Sequence, residues 1–268
     1  MTTAVRADNP LRTQHSFEVV AVTRTSTRTA ARSSKLLSRK SQPVTVHLRK
    51  MYIDCRFGQL HLHTAFPSSG GFDELKPLIC IAPAPHTGRV FRPLLATLGK
   101  DRSVYAPDMP GSGESDAPTA VPTLTDYAAG LVDLLDSLRL RQVDVLGYQA
   151  GSLAALELAL ARPTQVRKVM MVGVPLLDSS EHESGKVESI NGSVRDKQLL
   201  QGYPARQRLP LMHQPTLVLR QKDEFWESTA RSENLLRDAR LFELPEGQAA
   251  LEGTAADLLA HTREFLDT

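Results

Sequence analysis

Cysteine is scarce in this 268-residue chain, which has only Cys55 and Cys80. Two thiols exclude a disulfide framework and a four-cysteine zinc site, and they fit a reducing, cytoplasmic setting. Long apolar runs are also missing: no stretch approaches the roughly 20 residues a membrane helix needs. A membrane is therefore not an expected partner. Aromatic residues make up only 5% of the chain, and no basic patch with interleaved aromatics follows Lys50. Nucleic acid is not an expected partner either. What is present, 41% hydrophobic and 23% charged residues, is the balance of a globular chain able to bury a sizeable core as one large domain or two small ones.

The net charge of +2 hides a division. Residues 1–50 hold 10 Lys/Arg against 2 Asp/Glu, and the remaining residues hold 22 against 28. A basic segment thus precedes an acidic domain. The first fifty residues are rich in Arg, Ser and Thr, with few acids and no secretory apolar core. Such a composition cannot bury enough apolar surface to offset its ordering entropy, so a disordered tail is expected. A targeting segment, or a true start at Met51, is the alternative. The expected domain covers residues 51–268.

From Met51 onward the pattern alternates. Residues 52–54 and 59–64 read as an antiparallel hairpin around Arg56-Phe57-Gly58, with Leu60 and Leu62 alternating against polar neighbours. Residues 77–82 are apolar on both faces and read as a strand inside a sheet. Val90, Leu94, Leu95 and Leu98 repeat at helical spacing, a strand follows at 103–106, and Thr123-Leu124-Thr125-Asp126 opens a helix to about Leu138. The strand at 143–146 runs into Gly147-Tyr148-Gln149-Ala150-Gly151 and an apolar helix at 152–161. Further strands are expected at 169–172, 216–219 and 240–244, and a closing helix at about 255–266. Strands alternating with helices imply an α/β architecture: a mostly parallel sheet with helices on both faces.

The loop Asp108-x-x-Gly111-x-Gly113-x-Ser115, the strand-turn-helix around Gly147 and Gly151, and the order of the later strands resemble the α/β-hydrolase fold. The likeness is to the compact bacterial branch usually called "alpha/beta fold hydrolase", and it covers nearly all of 51–268. It implies a catalytic triad at defined places. The nucleophile belongs at the tip of a G-x-S-x-G elbow, and here the tip is Gln149. A carboxamide cannot form an acyl-enzyme as a nucleophile. The base, a His after the last strand, would fall at Gln248. The orienting acid would be Asp223 or Glu224. Some members of the branch carry His at the elbow tip, so Gln149 is a further step from serine.

Two other residues bear on the triad. Ser152, on the emerging helix, is expected to bond a backbone carbonyl rather than replace the nucleophile. His261, on the last helix, is expected at the surface. The oxyanion hole implied by the resemblance would use backbone N–H groups of Ala84 and Ala150, because Pro83 has none. His86 is the one nearby side chain with a pKa suited to proton transfer, and Tyr148 and Thr87 complete the expected ligand-facing set.

The lid is reduced to residues 175–214. No dinucleotide fingerprint, phosphate loop or metal-ligand cluster is evident in the sequence, so neither cofactor nor metal is expected. The leading expectation is a pseudoenzyme with a degenerate triad that binds a small molecule. The alternative is a hydrolase or lyase using non-covalent chemistry on a small ester-like or C–C substrate. The motifs do not specify an oligomeric state.

Overall fold

The computed structural model describes residues 45–68, 75–82, 86–177, 194–245 and 256–268. All of them fall within one compact unit, Ser41–Thr268. Residues 1–44, most of the expected tail, lie outside the described residues, as do 178–193 of the expected lid.

Eight strands form one sheet in the order β1-β2-β4-β3-β5-β6-β7-β8. The strands are β1 (Val46–Cys55), β2 (Gly58–Pro67), β3 (Leu75–Ile81), β4 (Arg102–Pro107), β5 (Val143–Tyr148), β6 (Val166–Val172), β7 (Thr216–Arg220) and β8 (Ala239–Glu243). β1 pairs antiparallel with β2, and β2 antiparallel with β4. Every other pairing is parallel. The opening hairpin and the parallel body match the expectation from periodicity. The start of the domain does not: β1 begins at Val46, and Val46 to Lys50 pair with Pro67 back to His63. The expected boundary at Met51 therefore moves forward by half a strand. Arg49 and Lys50, counted with the basic segment, are sheet residues.

The apolar runs of the inner strands divide between two cores, because successive side chains point to opposite faces. Ile79, Ile81, Val145 and Met171 pack on one face with α2 (Leu124–Ser137) and α3 (Ala150–Ala161). Leu78, Cys80, Leu146 and Met170 pack on the other with α1 (Arg92–Leu98) and the C-terminal helix, which contributes Phe265 and Leu266.

α2 starts where the sequence indicates, with a reciprocal cap: Thr123 Oγ1 accepts from Asp126 N and Asp126 Oδ2 accepts from Thr123 N at 2.9 Å. α3 is apolar all round, and ten of its 12 residues are buried, as befits a helix at the centre of a domain. Ahead of α1, the turn Gly88–Phe91 winds as a 3-10 helix, so Val90 belongs to a tighter turn than the helical spacing implies.

The remaining α-helices among the described residues are α4 (Val194–Leu200), α5 (Ala205–Arg208), α6 (Trp226–Glu233) and α7 (Ala256–Leu266). The segment between β6 and β7 is tied to α3 by one buried carboxylate. Glu157 of α3 takes a bidentate bond from Arg208 at 2.7 and 2.6 Å and a third from Tyr203 Oη at 2.5 Å. Burial, with the adjoining Glu157 charge, pushes the Tyr203 phenol well above its ordinary value, so it stays a donor. α6 is absent from the sequence reading for a physical reason. It docks through hydroxyls rather than apolar side chains: Ser228 Oγ donates to Val174 O at 2.6 Å, and Thr229 Oγ1 accepts from Val174 N at 2.8 Å.

If Val46 to Lys50 are integral to the sheet, a chain starting at Met51 should be less stable than one starting at residue 45. The expected loss is at least about 1 kcal/mol, or roughly 2–4 °C in melting temperature for a domain of this size. Thermal denaturation of the two truncated chains checks this.

Candidate active site at the β5–α3 elbow

β5 passes into α3 through a single residue, Gln149, with φ 48° and ψ −122°. Positive φ in a side chain of this size is strained by about 1–3 kcal/mol, and the surroundings enforce it. A Cβ on Gly147 would lie 2.4 Å from Gly151 O, and one on Gly151 would lie 2.2 Å from Ile81 O of β3. Both glycines are needed because the helix starts in contact with the strands it crosses. Gln149 N donates to Val172 O at 2.7 Å, tying the tip to β6, and Ser152 N returns to Gln149 O at 2.8 Å. The strained turn of the expected elbow is fully built, with an amide at its tip.

Asp223 faces the same place. A Cβ on Gly173, which has φ 62°, would lie 2.8 Å from Asp223 Oδ2 and 3.3 Å from Gln149 Cγ. The two side chains therefore flank one narrow gap at the end of β6. Of the two candidate acids, Asp223 is half-buried beside Gln149 and Glu224 is exposed. Its Oδ1 accepts from Phe225 N at 2.9 Å and its Oδ2 from Gln221 Nε2 at 2.8 Å. Gln221 Nε2 also donates to Tyr148 Oη at 3.1 Å, so one buried amide links the expected acid to the residue before the tip. Gln221 is absent from the sequence reading, since a polar residue just after a strand carries no signal of its own.

The other expected residues take varied positions. Ala150, buried, is the first residue of α3, where a helix N–H has no acceptor within its own helix. Ser152 is fully buried, and its Oγ donates to Gln149 O at 2.5 Å, a backbone role as expected. His86 is exposed. Thr87 Oγ1 accepts from Arg89 N at 3.3 Å and caps the following turn. His261 is half-buried, with its ring 3.6 Å from that of Phe242. Ala84 and Gln248 lie outside the described residues. Neither cysteine offers a substitute nucleophile: burial pushes both the Cys80 and Cys55 thiols up, away from the reactive thiolate. Among the described residues no helix is long and apolar enough to cross a membrane.

This arrangement offers hydrogen-bond donors and acceptors, one carboxylate and one helix N-terminus. The residue at the elbow tip is an amide, Gln149.

Comparison with known proteins places the arrangement in context. A family model described as "Alpha/beta hydrolase family" matches residues 78–267. An uncharacterized carboxylesterase, nap, of Bacillus subtilis is 27% identical over 128 residues, covering 47% of this chain and 41% of that protein. A 2-hydroxymuconate semialdehyde hydrolase of Pseudomonas sp. is 36% identical over 84 residues, covering 31% of this chain and 30% of that protein. The matched stretches thus span less than half the length of either relative. Among solved structures, the enol-lactonase of Burkholderia xenovorans superposes with a TM-score of 0.67 at 15% identity, covering 81% of this chain and 100% of that one. The naproxen esterase of Bacillus subtilis gives 0.62 at 20% identity, covering 83% and 92%. At these identities the structural likeness shows the fold.

Replacing Gln149 by Gly should relieve the elbow strain and raise stability by about 1 kcal/mol. Urea denaturation of the purified variant measures it. An unchanged or lower midpoint would mean that the turn is not strained.

Proposed function

Because the chain belongs to the alpha/beta hydrolase family, we propose that it retains the ligand site of that fold without its acyl-transfer chemistry and acts as a non-catalytic binder of small ester-like molecules. The observation that carries this reading is Gln149 at the tip of an intact strained elbow. Acyl transfer through a covalent intermediate needs an oxygen or sulfur nucleophile there and a base to activate it. An amide supplies neither, and it gains or loses no proton near neutral pH. A ligand carbonyl could still be held by the Ala150 N–H and the Gln149 amide, with the Tyr148, Gln221 and Asp223 network fixing the wall beside it. The carboxylesterase and hydrolase names of the relatives point to ester-like or enol compounds as the ligand class. The reading needs no cofactor and is compatible with a cytoplasmic protein.

A second reading rests on Asp223, whose Oδ2 adjoins Gln149 across the Gly173 gap. There the carboxylate would act as a base on a water held by the Gln149 amide, giving hydrolysis without a covalent intermediate.

A panel of esters, thioesters, lactones and epoxides, assayed alongside a fluorophosphonate probe, separates the two. The binder reading expects no turnover and no labelling of the native protein, with labelling restored when Gln149→Ser is combined with Gln248→His. Native turnover that falls by at least about 100-fold in Asp223→Asn, within the range of general-base catalysis, would replace the first reading with the second. Labelling of the native protein would contradict both.

A further inference from the structure

β2 and the loop after β4 bring together three groups that are remote in sequence. His61, His63 and Asp108 each offer a ligand atom, and these atoms lie within 4.8 Å of one another. His61 is fully buried and Asp108 is 1% exposed. His63 is half-buried and, with Asp108 and Glu114, lines a cavity of about 490 Å³ between the opening hairpin and α1. The sequence gives no hint of this cluster, because antiparallel pairing of β2 with β4 creates it, setting His63 opposite Ala106 and Leu62 opposite Pro107.

The hydrogen bonds of His61 leave a defect. Its Nδ1 lies 2.9 Å from Asp108 Oδ2, which fixes the Nδ1–H tautomer in a neutral ring and leaves Nε2 as an acceptor. That Nε2 is buried with no hydrogen-bond partner, and it faces Glu114 Oε2, another acceptor, at 3.9 Å. Buried polar atoms are rarely left so. The opposite tautomer places a proton on Nε2, directed toward Glu114. It also turns the Nδ1 lone pair on the Asp108 carboxylate, which is favourable only with a cation between them. The 3.9 Å to Glu114 Oε2 is too long for a direct hydrogen bond, so Glu114 must close in or a water must bridge the two. His63 Nε2, 3.8 Å from Asp108 Oδ1, borders the same spot.

We propose that His61 Nδ1, His63 Nε2 and Asp108 Oδ2 bind one divalent transition-metal ion, with Glu114 accepting from His61 Nε2–H and water filling the positions open to the cavity. Two imidazoles and a carboxylate form a donor set suited to zinc, iron(II) or nickel. The 2.9 Å between Nδ1 and Oδ2 is close to the spacing of two adjacent ligands on an ion with bonds of about 2.1 Å, and His63, whose Nε2 lies 3.8 Å from Asp108 Oδ1, must turn in to complete the set. The outer contacts are already in place. Glu114 is held by Lys50 and by Tyr52 Oη at 2.7 Å, and the Asp108 carboxylate is oriented by Gly88 N at 2.8 Å and Glu114 N at 3.1 Å. A carboxylate on the far nitrogen of a ligating histidine is the usual support of such sites. This site is separate from the elbow and does not depend on the reading of Gln149.

The test uses the full chain, stripped with a chelator and titrated with zinc by calorimetry and with cobalt(II) by visible absorption. One equivalent should bind, with d–d bands showing nitrogen and oxygen ligation. His63→Ala should abolish the bands. Glu114→Ala should weaken zinc by about 10-fold to 100-fold, as loss of an outer-shell partner does. His86→Ala and His213→Ala should leave the titration unchanged. His61 and Asp108 are core positions, so histidine ¹H–¹⁵N spectra of the unaltered protein give a readout independent of any variant: zinc should shift Nδ1 of His61 and leave Nε2 protonated. Absence of stoichiometric binding, or binding that His63→Ala does not change, would overturn the proposal. So would a His61 ring protonated on both nitrogens and insensitive to zinc.

Discussion

The close approach of α3 to the sheet is the constraint on which the rest of the site depends. Gly151 rests on the Ile81 carbonyl and Gly147 on the start of the helix, with no room for a Cβ at either position. Only one residue is left to reverse the chain, and it must take a positive φ. Wherever a helix is seated this tightly, the residue at the turn is thrust out at the carboxyl end of the strand whatever its chemistry, the place where sheets of this kind hold ligands. In this chain that geometry is present with Gln149 at the tip. Strain of about 1–3 kcal/mol held at Gln149 is consistent with a turn used to present a side chain.

The parts around that turn are held by polar anchors buried in apolar surroundings. Glu157, about two turns into α3 and on its buried face, gathers Arg208 and Tyr203 and so ties the segment after β6 to the elbow helix. At the opposite end of the sheet, Arg167 bonds both oxygens of Asp144 at 2.9 and 2.7 Å, and Lys168 donates to Phe265 O at 2.6 Å and Thr268 Oγ1 at 2.8 Å. Burial raises the Asp144 carboxyl against the opposing pull of Arg167, which is the cost of placing such a pair inside the sheet. Removing one partner from either anchor would leave a charge stranded.

Much of the fold is legible in the sequence because apolar periodicity reports which faces are buried. The doubly apolar run ending at Ile81 and the leucines of α2 could hardly be arranged otherwise. The same signal is blind where docking uses hydroxyls, as at Ser228 and Thr229 of α6, and where an exposed edge strand carries charge, as at Arg49 and Lys50 of β1. For the site, the glycine spacing around Gln149 gives the elbow, and the order of elements gives Asp223 or Glu224. What sets those two apart is the turn in which Asp223 caps Phe225 N while Glu224 is exposed. Gln221 and the cluster of His61, His63 and Asp108 depend on strand pairing and turn geometry, which no local pattern encodes.

The central claim is that the elbow holds ligand without forming a bond to it. Mass spectrometry of the native protein, quenched during exposure to an activated aryl ester and digested, tests it most directly. The peptide spanning the elbow should be recovered at its unmodified mass at every time point. An acyl group retained on that peptide, on Ser152 or any neighbour, would contradict the account.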